Sequence, residues 1–281
     1  MKAEGIRHNK ELADRAWRIR RNAVRMGAVQ GQGYIAQALD IADVLAVAYF
    51  HAMRYRPEDP AWEDRDRFLL SNGHYAIALY AALIEAGIIP EAELETYGSD
   101  ESRLPMSGMA SYTPGMEMSG GSLGLGLGIG VGMAMGLKRK GSGSRVYVLF
   151  SDGELGEGSV WEAMMAASQY KLDNLIAIVD VNNQQADGPA TQVTAFEPLV
   201  PKVEAFGWLV QRIDGNDLDG VVAAFDAAKI ATDPRPRMIV ADTLMGKGVP
   251  FLESREKNHF MRVDAHEWQL ALDALDEGRL A

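Results

Sequence analysis

Residues 145–188 read RVYVLFSDGELGEGSVWEAMMAASQYKLDNLIAIVDVNNQQADG. Arg145 to Ser151 is an apolar run that stops at Asp152. A helical pattern follows from Ser159 to Tyr170. Leu175 to Val181 is a second apolar run, stopping at Asn182. Continuous apolar runs of this length, alternating with helices, predict a parallel sheet covered by helices on both faces, the α/β class. Asp152 and Asn182 are 30 residues apart, one strand–helix–strand unit. They should therefore emerge side by side at the carboxyl edge of the sheet, where open α/β sheets take their ligands.

The same alternation continues in both directions. Trp208 to Ile213 is a third run, ending at Asp214, with a helix expected from Asp217 to Ala231, and Arg237 to Thr243 is a fourth. Upstream, Ile41 to Ala52 reads as a buried helix and Phe68 to Ser71 as a short strand. A Gly73-His74 turn then leads into a helix through Ala86, and Pro90 opens another short helix. From Gly98 to Ser122 no period is visible, and a loop of that length in a compact domain is functional or mobile. Glycines at 124, 126, 128, 130, 132 and 136 suit a helix packed closely against another backbone. Five arginines (15, 18, 20, 21 and 25) lie in a helix-compatible pattern that reads as a solvated charged face. No repeat or linker divides the chain. Residues 1–281 are expected to form one domain, with a helical extension at the start and a loop and helix at the end.

Composition narrows the functional classes. A net charge of −11 argues against nucleic acid or an anionic membrane surface as partner, though a local pocket can still hold an anionic substrate. The absence of cysteine removes disulfides and thiolate metal sites. The N-terminal residues show no signal peptide, and the longest apolar candidate, Leu123 to Leu137, is broken by glycines, so cytoplasm is the expected compartment.

At the strand ends, the Asp152 carboxylate and the Asn182 amide oxygen are hard ligands, suited to a magnesium ion shared with phosphate oxygens. Gly153 allows a diphosphate near the backbone, and a helix N-terminus beyond it favours negative charge. Asp, Asn and Gly are also common turn and cap residues, and spacing alone leaves both readings open.

The local sequence goes further. SDGELGEGSVWEAMMAASQYKLDNLIAIVDVNNQQADG resembles the cofactor motif of the transketolase family, which runs from GDG to an asparagine about thirty residues on. LSNGHYAIALYAAL, TPGMEMSGGSLGLGL, IDGND and GKGVPFLE extend the resemblance over nearly the whole chain. It implies the diphosphate-binding domain of a thiamine-diphosphate fold, with thiamine diphosphate and Mg2+ (or Ca2+ or Mn2+) as cofactors. Asp152 and Asn182 would hold the metal, with the backbone carbonyl of Gln184 as third ligand, and Gly153 and Glu154 would belong to the cofactor site. His74 would face the diphosphate or the reacting centre, unless it is an ordinary histidine at a helix start. Gly121 and Leu123 would line the cofactor, Leu123 at its pyrimidine end. Glu157 would meet a partner's catalytic glutamate, or else be a first-turn helix acid. His259 falls where the family places an active-site histidine, although that region is divergent.

Two departures concern the donor. Gln32, in QGQ, stands at the histidine of the family's SGH, and Ser107, in PMSGM, aligns with the histidine of its GHP. Those histidines contact the donor in the family, and neither an amide nor a hydroxyl takes up a proton near neutral pH as imidazole does. Ser151 replaces the first glycine of GDG, a change expected to be tolerated. The family's pyrimidine-binding domain is not matched within this chain. The resemblance therefore implies a separate transketolase subunit carrying that domain in an α2β2 assembly. The implied reaction moves a two-carbon ketol unit from a ketose-type donor to an aldose-type acceptor. Decarboxylation of a 2-oxo acid such as pyruvate is the enzymatic alternative, and a non-catalytic partner subunit the other.

Overall fold

The computed structural model describes residues 2–230 and 232–280. In chain order its elements begin with α1 (Lys2–Gln30), β1 (Gln32–Gly33), α2 (Ile35–Asp40) and α3 (Ala42–Val47), which runs on into a π-helical turn, Ala48–Ala52. β2 (Arg67–Leu70) and α4 (Ala76–Glu85) follow. Next come α5 (Gly126–Arg139), β3 (Val146–Ser151), α6 (Gly158–Gln169) and β4 (Leu175–Val181). The remainder is α7 (Ala190–Val193), α8 (Leu199–Ala205), β5 (Leu209–Asp214), α9 (Leu218–Lys229), β6 (Arg237–Asp242), α10 (Pro250–Glu253), β7 (Met261–Arg262) and α11 (Ala265–Leu280). The expected helix end at Ala231 falls outside the described residues.

Five strands form a parallel sheet in the order β2-β3-β4-β6-β5. Alternation along β3 shows why its apolar run is continuous. Val146, Val148 and Phe150 enter a core shared with α5, α6 and α8, whereas Tyr147 and Leu149 enter one shared with α1–α4, α9 and α11. A strand buried on both faces has no polar side to display. β5 is different: it lies at the sheet edge and its residues are only half-buried or exposed. Asp214 is therefore separated from the β4 tip by β6, and its carboxylate accepts the Asn216 backbone N–H within its own turn.

Two expectations are corrected by packing. The arginines of α1 do not form a solvated face. Arg15 and Arg18 both reach Glu85 at 2.7 Å, Arg21 reaches Asp276 at 3.1 Å, and Arg25 reaches Glu91 at 2.8 Å. Arg20 is buried, its Nε donating to the Leu39 carbonyl and its Nη atoms to Asp43. Between these arginines Leu12, Ala16, Ile19, Ala23 and Val24 fill the core, so α1 is an integral layer and its cations pin it to its neighbours. The glycines of α5 serve two faces rather than one. A Cβ at Gly126 would meet Ser71 at 2.3 Å and one at Gly130 would meet Val148 at 2.4 Å, a close approach to the sheet. Gly128, Gly132 and Gly136 have nothing within 4 Å, and Leu125 and Ile129 beside them are exposed.

Losing one member of a buried ion pair strands the other charge. Arg20→Met should lower unfolding free energy by about 3 kcal/mol, read as a drop in urea midpoint, while Arg20→Met/Asp43→Leu recovers most of it. An unchanged midpoint in the single variant would contradict the pinning role.

Candidate active site

β3 and β4 are neighbours in register, with Ser151 paired to Asp180, so Asp152 and Asn182 leave the sheet side by side. Asp152 is buried, and its carboxylate accepts the Asn183 backbone N–H at 2.9 Å. Burial, and then the nearby Asp180, raise its pKa to about 7. A buried carboxylate without a cationic side chain beside it is a costly group that a bound cation relieves.

The amide of Asn182 is held by an acid cluster. Its Nδ2 donates to Asp180 Oδ2 at 2.7 Å, to the Tyr75 hydroxyl at 3.0 Å and to Asp40 Oδ2 at 3.2 Å. With its donor side committed, Oδ1 faces the other way and accepts the Gln184 N–H at 3.1 Å. Asp180 itself is buried within β4 and takes hydrogen bonds from Thr243 at 2.5 Å and Tyr75 at 2.9 Å. Burial raises its pKa to about 6, and burial with the charge of Asp180 pushes Asp40 well above the usual carboxylate range.

These groups fit a hard cation shared with phosphate. Among the described residues no three His, Asp or Glu side chains gather into a metal cluster. The donor set is one carboxylate with amide and backbone oxygens, which leaves positions for ligand oxygens. Gln184 Oε1 and Gln185 Nε2 are buried without partners. The nearest atoms to a Cβ at Gly153 would be those of the Gln185 side chain, from 3.5 Å. An orphan amide donor beside a bare glycine suits a phosphate oxygen. The adjoining cleft, about 860 Å³, runs between residues 182–189 and 253–260.

His74 follows the tip of β2, in a 3-10 turn pressed against the loop before α5. A Cβ at Gly73 would strike the Gly120 and Gly121 backbone at 2.4–2.8 Å, so only glycine permits this approach. Gly121 in turn faces the Ser107 hydroxyl. The His74 ring lies 4.8 Å from Tyr34 and 5.7 Å from His259, and Tyr34 meets His259 at 5.5 Å. Burial, then His259, lower the His74 pKa to about 4, and burial also lowers that of His259. Both rings are neutral at pH 7.

The structure therefore brings together Asp152, Gly153, Asn182, Gln184, His74 and His259, with Gly121 and Ser107 across the same turn. Glu157 and Leu123 stand outside this pocket on exposed surface, near the open face of α5. Glu154 has a different place from the one expected. Fully buried, it accepts from Ser71 Oγ and from the amides of Gly124 (2.8 Å) and Ser151 (3.0 Å). It holds the loop before α5 against β2 and β3 rather than facing the cleft. Asp40, Tyr75, Asp180, Gln185 and Tyr34 were not singled out in the sequence. The one available signal was Asp180, a charge inside the apolar run LIAIVDV.

Fold and cleft together define the class, a parallel α/β domain of the thiamine-diphosphate-binding fold. The chain belongs to the transketolase family, residues 15–275 matching its domain described as transketolase, thiamine diphosphate binding domain. It is 72% identical to the uncharacterized transketolase family protein y4mO of Sinorhizobium fredii, over 97% of this chain and 98% of the relative. It is 40% identical to an apulose-4-phosphate transketolase subunit of Actinobacillus succinogenes, over 95% and 96% of the two chains. The crystal structure of a transketolase variant from Pichia stipitis superposes with a TM-score of 0.86 at 29% identity. That match covers 94% of this chain and 40% of the other.

Two measurements test the site's internal logic. Glu154→Leu should cost about 2 kcal/mol and speed hydrogen exchange at the Gly124 amide, because Ser71, Gly124 and Ser151 all lose their acceptor. Wild-type exchange there would contradict the staple. Folded His74 binds its proton less readily than an unfolded histidine at 6.5, so its own contribution to stability rises with pH from about 4 to 6.5, against the opposite contribution of the buried Asp152 and Asp180, whose raised pKa values lower stability over that range. His74→Gln should therefore make the net slope of stability against pH more negative there; an identical slope would contradict the buried, neutral His74.

Proposed function

We propose that this chain is the thiamine-diphosphate-binding subunit of a split transketolase, a transferase active only with a partner. Residues 1–281 act as one diphosphate-binding domain, and the partner subunit carries the pyrimidine-binding domain, in an α2β2 assembly in the cytoplasm. The observation that carries the reading is the pair of strand tips. A buried Asp152 carboxylate and an Asn182 amide, turned so that its oxygen is presented, stand at adjacent positions beside a glycine and an orphan amide donor.

Asp152, Asn182 and Gln184 would hold Mg2+, while Gly153, Gln185 and His74 would lie along the diphosphate. Bound thiamine diphosphate supplies the nucleophilic carbon and electron sink for carbon–carbon cleavage. The work of this chain is to bind it, to keep the neutral His74 and His259 at the reacting end, and to exclude water with Tyr34 and Phe260. Gly121 and Leu123 would line the cofactor, and Glu157 would face the partner's glutamate. The exposed Leu123, Leu125 and Ile129 beside the open glycine face support a covering subunit. So does the near end-to-end match to a relative named as a transketolase subunit.

The favoured reaction is ketol transfer from a ketose-type donor to an aldose-type acceptor. Decarboxylation of a 2-oxo acid is a second reading, favoured by Gln32 and Ser107 at the two donor-histidine positions. Release of CO2 from pyruvate without ketol transfer from a ketose phosphate would select the second.

Asp152→Ala tests the metal assignment. It should weaken Mg2+-dependent cofactor binding by more than the roughly 10–100-fold typical of losing a residue that only supports a metal ligand, measured by calorimetry on the assembled complex. The cofactor-free chain should melt no lower than wild type at pH 7, because a destabilising buried carboxylate has gone. Equal cofactor affinity would refute the assignment.

A further inference from the structure

Arg262 is a cation at the edge of the site in a chain of net charge −11. It lies on β7, opposite Gln32 in the antiparallel ribbon with β1. Its Nε donates to Gln32 Oε1 at 2.8 Å, and its guanidinium carbon lies 5.7 Å from the centre of the Phe260 ring. It is exposed, and among the described residues it joins no carboxylate; its Nη atoms have no partner there. The Gln32 amide is steadied from its other end, Nε2 lying 3.9 Å from Met106 Sδ.

Aromatic contacts lead from this guanidinium into the pocket. Phe260 meets Tyr34 at 4.9 Å, and Tyr34 meets His74 at 4.8 Å. Arg262 therefore stands at the outer end of an aromatic shelf whose inner end is the proposed reacting centre. Arg255, which lines the cleft, is paired with Glu267. Resting on the split-transketolase reading, we propose that Arg262 recognises the terminal oxyanion of the sugar substrate, and that Gln32 is its positioning residue.

The chemistry is specific at the atomic level. With Nε–H committed to Gln32, the guanidinium presents its Nη1/Nη2 edge, a fork that matches two oxygens of one carboxylate, phosphate or sulfonate. A neutral amide suits position 32 for this purpose. It accepts from the guanidinium at every pH, whereas a protonated imidazole there would repel it. The departure at Gln32 and the unpaired Arg262 are thus one device.

The test uses the assembled complex and compares a phosphorylated ketose with the same sugar lacking its phosphate. Arg262→Gln should raise KM for the phosphorylated donor roughly 10- to 100-fold, leaving kcat and the KM of the uncharged sugar within about twofold. Arg262→Lys should fall between, because it keeps the charge and loses the fork. Gln32→Leu should raise the same KM by less, and should add nothing to Arg262→Gln. Calorimetry of the phosphorylated ketose on the cofactor-free complex supplies a readout independent of turnover, and sulfonate- and carboxylate-terminated analogues identify which oxyanion is preferred. If no ketose is turned over but binding still depends on Arg262, the transketolase reading fails and the anion site stands. If both sugars respond alike, if neither responds, or if the variant only weakens assembly of the complex, the anion site is overturned.

Discussion

Asp180 is a carboxylate set inside a central strand that is otherwise fully apolar, and burying it is tolerable only if it is surrounded by donors. Thr243, Tyr75 and Asn182 supply them. The consequence at the cleft is indirect but large. Because the Asn182 Nδ2 group is drawn toward the acid cluster, its oxygen is left facing the strand tip next to Asp152. An amide is ambiguous by itself, donor at one end and acceptor at the other, and here the ambiguity is removed from behind. The cost is a buried acid cluster in which Asp40 is pushed toward its protonated form.

A second buried carboxylate does comparable work nearby. Glu154 ties the loop before α5 to the ends of β2 and β3, and Gly73 lets the His74 turn press on that loop. Two acids that do not face the cleft thus fix two walls of it. Packing against buried, fully hydrogen-bonded groups is a more rigid support than a loop could provide unaided.

The two helical layers are unequal in what they offer. α1, α4 and α11 enclose a core closed by ion pairs from the arginines of α1. The α5 layer ends in an open glycine face with exposed leucine and isoleucine. The closed side explains the stability of the fold, and the open side lies next to Glu157 and Leu123, where a second subunit would complete the site.

Sequence alone determined the parallel α/β class, the strand tips at Asp152 and Asn182, and the long loop before α5. Each rests on local pattern: runs buried on both faces, a 30-residue repeat distance, and turn residues at strand ends. It misplaced the arginines of α1, since a charge pattern does not reveal that Glu85, Asp43 and Asp276 wait on other elements. Nor does sequence order reveal that β6 lies between β4 and β5, which sets Asp214 apart from the other two strand ends. Only the tertiary structure decided the rest: which way the Asn182 amide turns, that Glu154 is a staple, and that Arg262 stands opposite Gln32. These depend on contacts between distant residues as well as local ones, Glu154 with Gly124, Asn182 with Tyr75 and Arg262 with Gln32 lying 30, 107 and 230 positions apart, and no local periodicity encodes which distant partner a polar group will meet.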